Sequence, residues 1–438
     1  MRLRQFSLRR LLPLMSGITL AAIAGSHHGA AQPGGANAAA QDQRSVQDTC
    51  LGRADSDAAH MVEACSAVLA GGTATALERA AAHRIRGQAY ARLKDEPRAR
   101  ADLVKSIELY NGAIVGDAGR LQAYAEGGAA FQSLDQADRA LADYDEALRL
   151  HPDDVAALIG RGVLHANYKA DLGKAIGDFD AALRVQPGNV LALMQRADAH
   201  TRRGEDGRAL ADLDRAIALS PGNAQAYFFR GLVYAGRAQP ARAIADYSKA
   251  LSIDPTHVQA LISRAALYSG SVNNDQAIRD LDAAIALAPD LAVAYYNRGY
   301  ARFAARDYQK AVVDYGEAIR LQPDMSAAYT NRCLMRAIIG SDLPLALADC
   351  NHALQLAPGS LDAHETRGFI HLRMGDPDTA LVEYNIALKA SPDRALALYG
   401  KGLAQIRKGR KAEGEASKAA ARAIYPAVER EFSTYGLK

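Results

Sequence analysis

Apolar and small side chains recur along most of this chain in alternating steps of three and four, the spacing that lines one face of an α-helix. The helical blocks come in pairs, and a proline closes each pair. Pro152, Pro187, Pro221, Pro255, Pro289, Pro323, Pro358 and Pro392 each follow an Ala-Leu or Ala-Ile tail, at spacings of 35, 34, 34, 34, 34, 35 and 34 residues. Tyr124, Leu158, Leu193, Tyr227, Leu261, Tyr295 and Tyr329 open the first block of successive pairs. An Arg-small pair follows three residues later, as Arg161-Gly162, Arg196-Ala197, Arg230-Gly231, Arg264-Ala265, Arg298-Gly299, Arg332-Cys333 and Arg367-Gly368. The second block carries a small residue, an aromatic or Leu four on, and Ala three further, as in Ala140/Tyr144/Ala147, Ala175/Phe179/Ala182, Ala243/Tyr247/Ala250 and Ala311/Tyr315/Ala318. A constant period of this length predicts a stack of one helix-turn-helix element, with the proline ending each second helix.

The register set by the prolines extends the repeat in both directions. Arg86-Gly87, Tyr90, Ala99, Leu103 and Ser106 mark an earlier repeat without a closing proline, and residues 114–120 are then an insertion. A last repeat closes on Pro426, with Gly414 and Lys418 where others carry Ala and an aromatic; a polar outer helix suits a terminal cap. The repeats are 80–113, 121–154, 155–189, 190–223, 224–257, 258–291, 292–325, 326–360, 361–394 and 395–428, ten in all. Asp57 to Ala70 reads as one amphipathic helix within a lead-in and capping region, 41–79, and residues 429–438 are left as a C-terminal tail.

These columns resemble the tetratricopeptide repeat, whose pattern runs aromatic, Leu-Gly, Tyr, Ala, Phe, Ala and Pro. No Trp opens any repeat, and Arg stands in place of Leu before the Gly. The resemblance implies an all-α, right-handed superhelical solenoid of about ten stacked repeats, with first helices lining a concave, partner-binding side.

Composition agrees. The 438 residues include 36 Gly, no Trp and only 6% aromatics, which suits closely packed helices better than a β-sandwich. The formal charge is +3, but Arg2, Arg4, Arg9 and Arg10 supply four positive charges, and the rest is near neutral. No electrostatic case for nucleic acid survives. Those arginines precede an apolar run, Leu11 to Ala24, and small-residue cleavage candidates at 29–31 and 38–40. Residues 1–40 thus read as a Sec-type bacterial signal peptide and its cleavage region, placing the mature protein in the periplasm or outside the cell without stable membrane insertion. A membrane anchor is the competing reading, but the run is short and broken by Pro13 and Gly17.

Charged residues follow the repeat. Asp102, Asp143, Asp178, Asp212, Asp246, Asp280, Asp314, Asp349 and Glu383 precede the aromatic column, opposite the Arg column from Arg86 to Arg367. A carboxylate–guanidinium ladder within or between repeats is expected, since a catalytic pair would occur once. His165, His200 and His371 share a column; a metal between the first two is conceivable, but local packing is the weightier reading. No nucleophile elbow, phosphate loop or zinc motif occurs, so no catalytic, cofactor-binding or metal-binding residues are expected. Four cysteines remain. Cys333 lies in a small-residue column and Cys350 in an aromatic column, which the resemblance sets face to face. In an oxidising compartment, Cys333/Cys350 and Cys50/Cys65 are disulfide candidates, with buried free thiols as the alternative.

The first helices carry further apolar columns. One residue after the opening position stand Ile159, Met194, Phe228, Ile262 and Tyr296. Four residues on come Val163, Asp198, Leu232, Ala266, Tyr300, Leu334, Phe369 and Leu403, and Phe303, Leu372 and Ile406 follow. An exposed apolar groove is expected, with Ile159, Met194, Phe228, Leu232, Tyr296, Tyr300, Phe303, Phe369 and Leu372 holding a protein or peptide partner. Burial by neighbouring repeats is the competing reading. Some members of the family grip a terminal carboxylate with Lys and Asn; here Asn297 and Asn331 have no matching Lys. The expected function is a non-catalytic protein-binding scaffold in the cell envelope, and the alternative is a periplasmic carrier or chaperone for secreted or polysaccharide clients.

Overall fold

Each proline-closed repeat folds into a helical hairpin, and the reasons are local. Two residues after the proline, Asp154, Asn189 and Ser360 cap the next helix by accepting from the backbone N–H of Ala157 (2.7 Å), Ala192 (2.9 Å) and Ala363 (3.3 Å). Each such cap contributes about 1 kcal/mol. Inside the hairpin the turn needs one left-handed residue: Asp135, Ala170, Gly204, Ala238, Arg306, Gly340, Gly375 and Gly409 all have φ between 50° and 81°.

The computed structural model describes residues 49–50, 57–114, 120–269, 273–340 and 342–437. The leader, most of the lead-in before Asp57 and residues 115–119 of the insertion lie outside them. Among the described residues there are 22 helices and no strand. The chain divides into two compact bodies, one ending at Val233 and one running from Tyr234 to the C-terminus.

In the first body the helices are α1 (Ala58–Ala70), α2 (Ala76–Arg92), α3 (Glu96–Ile114), α4 (Arg120–Ser133), α5 (Ala137–Leu150), α6 (Val155–Asn167), α7 (Leu172–Val185), α8 (Val190–Arg202), α9 (Asp206–Leu219) and most of α10 (Ala224–Gly236). From α1 to α9 each helix packs on the next in sequence. The second body holds α11 (Pro240–Ile253), α12 (Val258–Tyr268), α13 (Asn274–Leu287), α14 (Ala292–Ala304), α15 (Tyr308–Leu321), α16 (Ser326–Ile339), α17 (Leu343–Leu356), α18 (Leu361–Arg373), α19 (Pro377–Ala390), α20 (Ala395–Arg407), α21 (Lys411–Ile424) and α22 (Val428–Thr434). It repeats the same nearest-neighbour packing. No described helix is long and apolar enough to cross a membrane.

The aromatic column of the second helices is the plug of each hairpin. Phe179, Tyr247, Tyr315 and Tyr384 are fully buried, and Tyr144 nearly so. Burying such a ring contributes about 2–3 kcal/mol. The plug presses into the following repeat as well. A Cβ on Gly160 of α6 would lie 2.3 Å from Cζ of Tyr144, and one on Gly400 of α20 would lie 2.3 Å from Cζ of Tyr384. Only glycine admits the ring at that depth. Elsewhere the receiving position is larger: Ser263 follows the repeat that carries Tyr247 and Asn331 the one that carries Tyr315, while Phe229 follows Leu213 and Thr366 follows Cys350.

Both cysteine pairs are bridged. Cys333 of α16 and Cys350 of α17 cross-link the two helices of one hairpin, and Cys50 and Cys65 fasten the segment before α1 to that helix. A bridge closing a loop of this size contributes about 3 kcal/mol by restricting the unfolded chain. Thiol titration of the denatured protein without reductant should therefore find no free cysteine, and four thiols after reduction. Two glycines should respond oppositely in urea melts. Gly160→Ala should lose about 1–3 kcal/mol through overpacking against Tyr144. Gly177→Ala, in the interior of α7 with no atom within 4 Å of the new methyl, should gain about 0.5–1 kcal/mol from lost unfolded-state freedom.

Candidate functional site

The Arg column sits where each first helix faces its own second helix and the second helix of the preceding repeat. Arg196 shows the full pattern: Nε and Nη2 donate to Asp212 at 2.8 and 2.6 Å, while Nη1 donates to Asp180 of the repeat before at 2.6 Å. Arg161 links Asp178 and Asp145 in the same way, and Arg298 links Asp314 and Asp282. Arg264 holds Asp280 and the Ser248 hydroxyl, and Arg367 holds Glu383 and the Asn351 amide oxygen. The expected ladder is present, both within and between repeats.

Burial opposes the charge on these acids, and their partners decide the balance. At Asp102 burial is outweighed by hydrogen bonds from Arg86 and His83, so its pKa falls below the usual carboxylate range. At Asp314 burial wins over Arg298 and the pKa rises. The repeat 121–154 is the exception in the Arg column: Gly127 of α4 stands there, and a Cβ on it would lie 2.9 Å from Oδ2 of Asp143. Burial pushes Asp143 up to about 6.

The histidine column is occupied locally. Nδ1 of His200 lies 2.7 Å from Glu205, His165 Nε2 lies 3.9 Å from Asp178, and His371 Nδ1 lies 3.4 Å from Asp376. Among the described residues no group of three His, Cys, Asp or Glu is placed to hold a metal ion.

The apolar columns of the first helices require a correction. Ile159, Met194, Phe228, Leu232, Tyr296, Phe369 and Leu372 are buried, between 0% and 6% exposed, so they do not line an open groove. Their neighbours explain it. The Tyr296 ring packs 5.7 Å from Tyr315, and its hydroxyl accepts from Asn331 of the following repeat at 3.1 Å. The Met194 sulfur meets the Asn223 amide at 3.6 Å. Phe369 is covered from elsewhere: Phe432 and Tyr435 meet it edge-on at 5.9 and 6.1 Å. Tyr300 and Phe303 alone of the nine keep partial exposure. Their rings stand 6.4 Å apart, and Phe303 stands 6.1 Å from Tyr308, which makes an aromatic row along the end of α14 and the start of α15.

The covering segment is what the sequence reading passed over. Residues 429–438, read as a tail, mostly belong to α22, which packs on α20 and α21. Its Phe432 meets Tyr399 of α20 at 4.9 Å. Val428, Phe432 and Tyr435 share one face of this short segment.

The ladder exception gives a pH test. The folded pKa of Asp143, about 6, lies above the unfolded value near 3.9, so its ionised form destabilises the fold above about pH 6 and the cost disappears below about pH 4. Asp143→Asn should therefore raise the urea midpoint at pH 8, and the gain should shrink to nothing as the pH falls from 6 to 4.

Comparison with known proteins agrees with this geometry. Models of the tetratricopeptide repeat match residues 124–170, 168–224, 224–257, 292–325 and 367–429, together more than half of the chain. A tetratricopeptide repeat protein from Parabacteroides merdae aligns over 57% of this chain and 98% of its own, at 20% identity and a TM-score of 0.44. YrrB, described as a TPR protein with an unusual peptide-binding site, aligns over 42% and 95% at 20% identity and a TM-score of 0.36. The Cut9–Hcn1 hetero-tetramer of the APC/C supplies a chain aligned over 90% and 95%, at 15% identity and a TM-score of 0.47. Among curated proteins none matches. With its helical hairpins, its repeated columns and family models that match more than half of its length, the chain belongs to the tetratricopeptide repeat family.

Proposed function

We propose that this protein is an exported, non-catalytic scaffold that holds a segment of one protein partner in the cell envelope. The observation that carries the reading is the division of labour among its side chains. The arginines and acids that recur in most repeats are spent on the ladder, and most of the first-helix apolar residues are spent on packing. The aromatic row Tyr300, Phe303 and Tyr308 remains partly open to solvent, and partly exposed aromatic residues in a row mark a contact surface. The fold itself is that of a protein-binding scaffold. Basic residues before an apolar run and small residues at 29–31 and 38–40 support export.

Crosslinking of the tagged full-length protein in its native organism, followed by mass spectrometry and cell fractionation, tests this. One stoichiometric partner recovered with the envelope fraction is the expected result. Many substoichiometric clients would replace the scaffold by a carrier or chaperone, and recovery in the cytoplasm would remove the envelope assignment. Replacing Tyr300 and Phe303 by Ser should abolish capture while the helical circular dichroism stays unchanged; persistent capture overturns the aromatic row as the contact.

A further inference from the structure

The aromatic row continues into a cavity of about 530 Å³ in the second body. One wall is the end of α14, the turn after it and the start of α15, with Phe303, Arg306 and Tyr308. The opposite wall is the C-terminal segment, with Tyr425, Arg430 and Tyr435. This second wall is firmly built. Phe432 and Tyr435 are buried against Phe369, Phe432 also packs on Tyr399, and the Tyr435 hydroxyl donates to the Glu431 carboxylate at 2.9 Å. On the first wall the Tyr308 ring is half-buried, and that burial pushes its phenol up.

The charges at this cavity differ from those elsewhere in the array. The ladder arginines are held by carboxylates, most of them by two polar partners. Arg306 and Arg430 are exposed at the cavity, and among the described residues neither guanidinium has an ion-pair partner. Glu431, the acid at the cavity, is engaged by Tyr435. Two uncommitted guanidinium groups, one on each wall, flank a chamber of aromatic rings. A chamber of this volume takes a side chain or two. Rings enclose an apolar group, and a guanidinium recognises a carboxylate through charge-assisted hydrogen bonds.

We propose that this cavity is a docking site for an acidic segment of a protein partner, in which an aromatic residue enters between the tyrosines and the Asp or Glu beside it pairs with Arg306 and Arg430. The assignment rests on the segment-binding reading above and adds the chemistry of the segment.

The chain contains no Trp, so a Trp-containing peptide, excited beyond the absorption of the chain's 19 tyrosines, reports its own binding by fluorescence anisotropy. The probes are acetyl-Gly-Glu-Trp-Gly-amide, its Gln counterpart, and the Gln peptide with a free C-terminal carboxylate, each titrated with the full chain. The Glu peptide should bind ~10-fold more tightly than the Gln amide, the difference shrinking at high salt. Arg430→Ala and Arg306→Asn should each bring the Glu peptide towards the Gln amide while leaving the Gln amide and the thermal melt unchanged. Asn is chosen at 306 because that residue has φ 63°, a left-handed conformation that Asn tolerates. Equal binding of Glu and Gln amides, no binding of any probe, or arginine variants that bind like the wild type would overturn the proposal. Preference for the free-carboxylate peptide would replace an internal acid by a chain terminus and overturn it too. The two readings fail separately. Partner capture that depends on Tyr300 and Phe303 but not on Arg306 or Arg430 rejects the acidic cavity and leaves the scaffold standing, whereas loss of any specific partner rejects both.

Discussion

A guanidinium that touches two repeats at once is the joint on which the stack depends. Arg196 lies between Asp212 of its own hairpin and Asp180 of the hairpin before it, and Arg161 and Arg298 repeat the arrangement. Planar, five-donor geometry is what allows one side chain to bind a carboxylate in two-point fashion and still reach another; lysine offers no such fork. The outer acids are about half exposed, so that half of each joint contributes only about 0.2–1 kcal/mol. The bulk of the stability comes from the aromatic plugs and the small residues that receive them. The arginines instead set which face of one hairpin meets the next, because a slipped register would leave a half-buried acid unpaired.

Much of this was legible in the sequence for a physical reason: a repeat multiplies every local constraint. Pro152 to Pro392 set the register, and once set it placed Cys333 opposite Cys350 and Arg332 opposite Asp349. The first-helix columns were misread as an open groove because period and polarity show that a residue is apolar, not what lies on top of it. Tyr296 is covered by the repeat that follows, through Asn331, and Phe369 by residues 432 and 435, more than sixty positions downstream. Such long-range coverage leaves no mark on the local pattern. The C-terminal segment was missed because a seven-residue helix is too short to establish a period, although Val428, Phe432 and Tyr435 share a face.

The same coverage narrows where a partner can lie. With Phe369, Leu372, Phe432 and Tyr399 gathered into one core, the first-helix face of the last repeats is sealed by the chain's own end. What remains near it is the row from Tyr300 to Tyr308, bounded by the wall that the end of the chain supplies. The C-terminal segment thus both closes the hydrophobic core and, through Tyr435, lines one side of the candidate site.

The joints between repeats are not all alike. Arg161, Arg196, Arg230 and Arg298 reach back to aspartates, whereas Arg264 reaches back to the Ser248 hydroxyl and Arg367 to the Asn351 amide, and behind Arg332 the position is Gly316. Ionic and neutral rungs answer differently to their surroundings, since mobile ions screen the first and leave the second untouched. Compliance along the array is therefore written joint by joint: some hairpins are stiffened only while the ionic strength is low, and others flex to the same degree in any salt. A change of ionic strength would alter the mechanical profile of this protein without changing a single contact in its core.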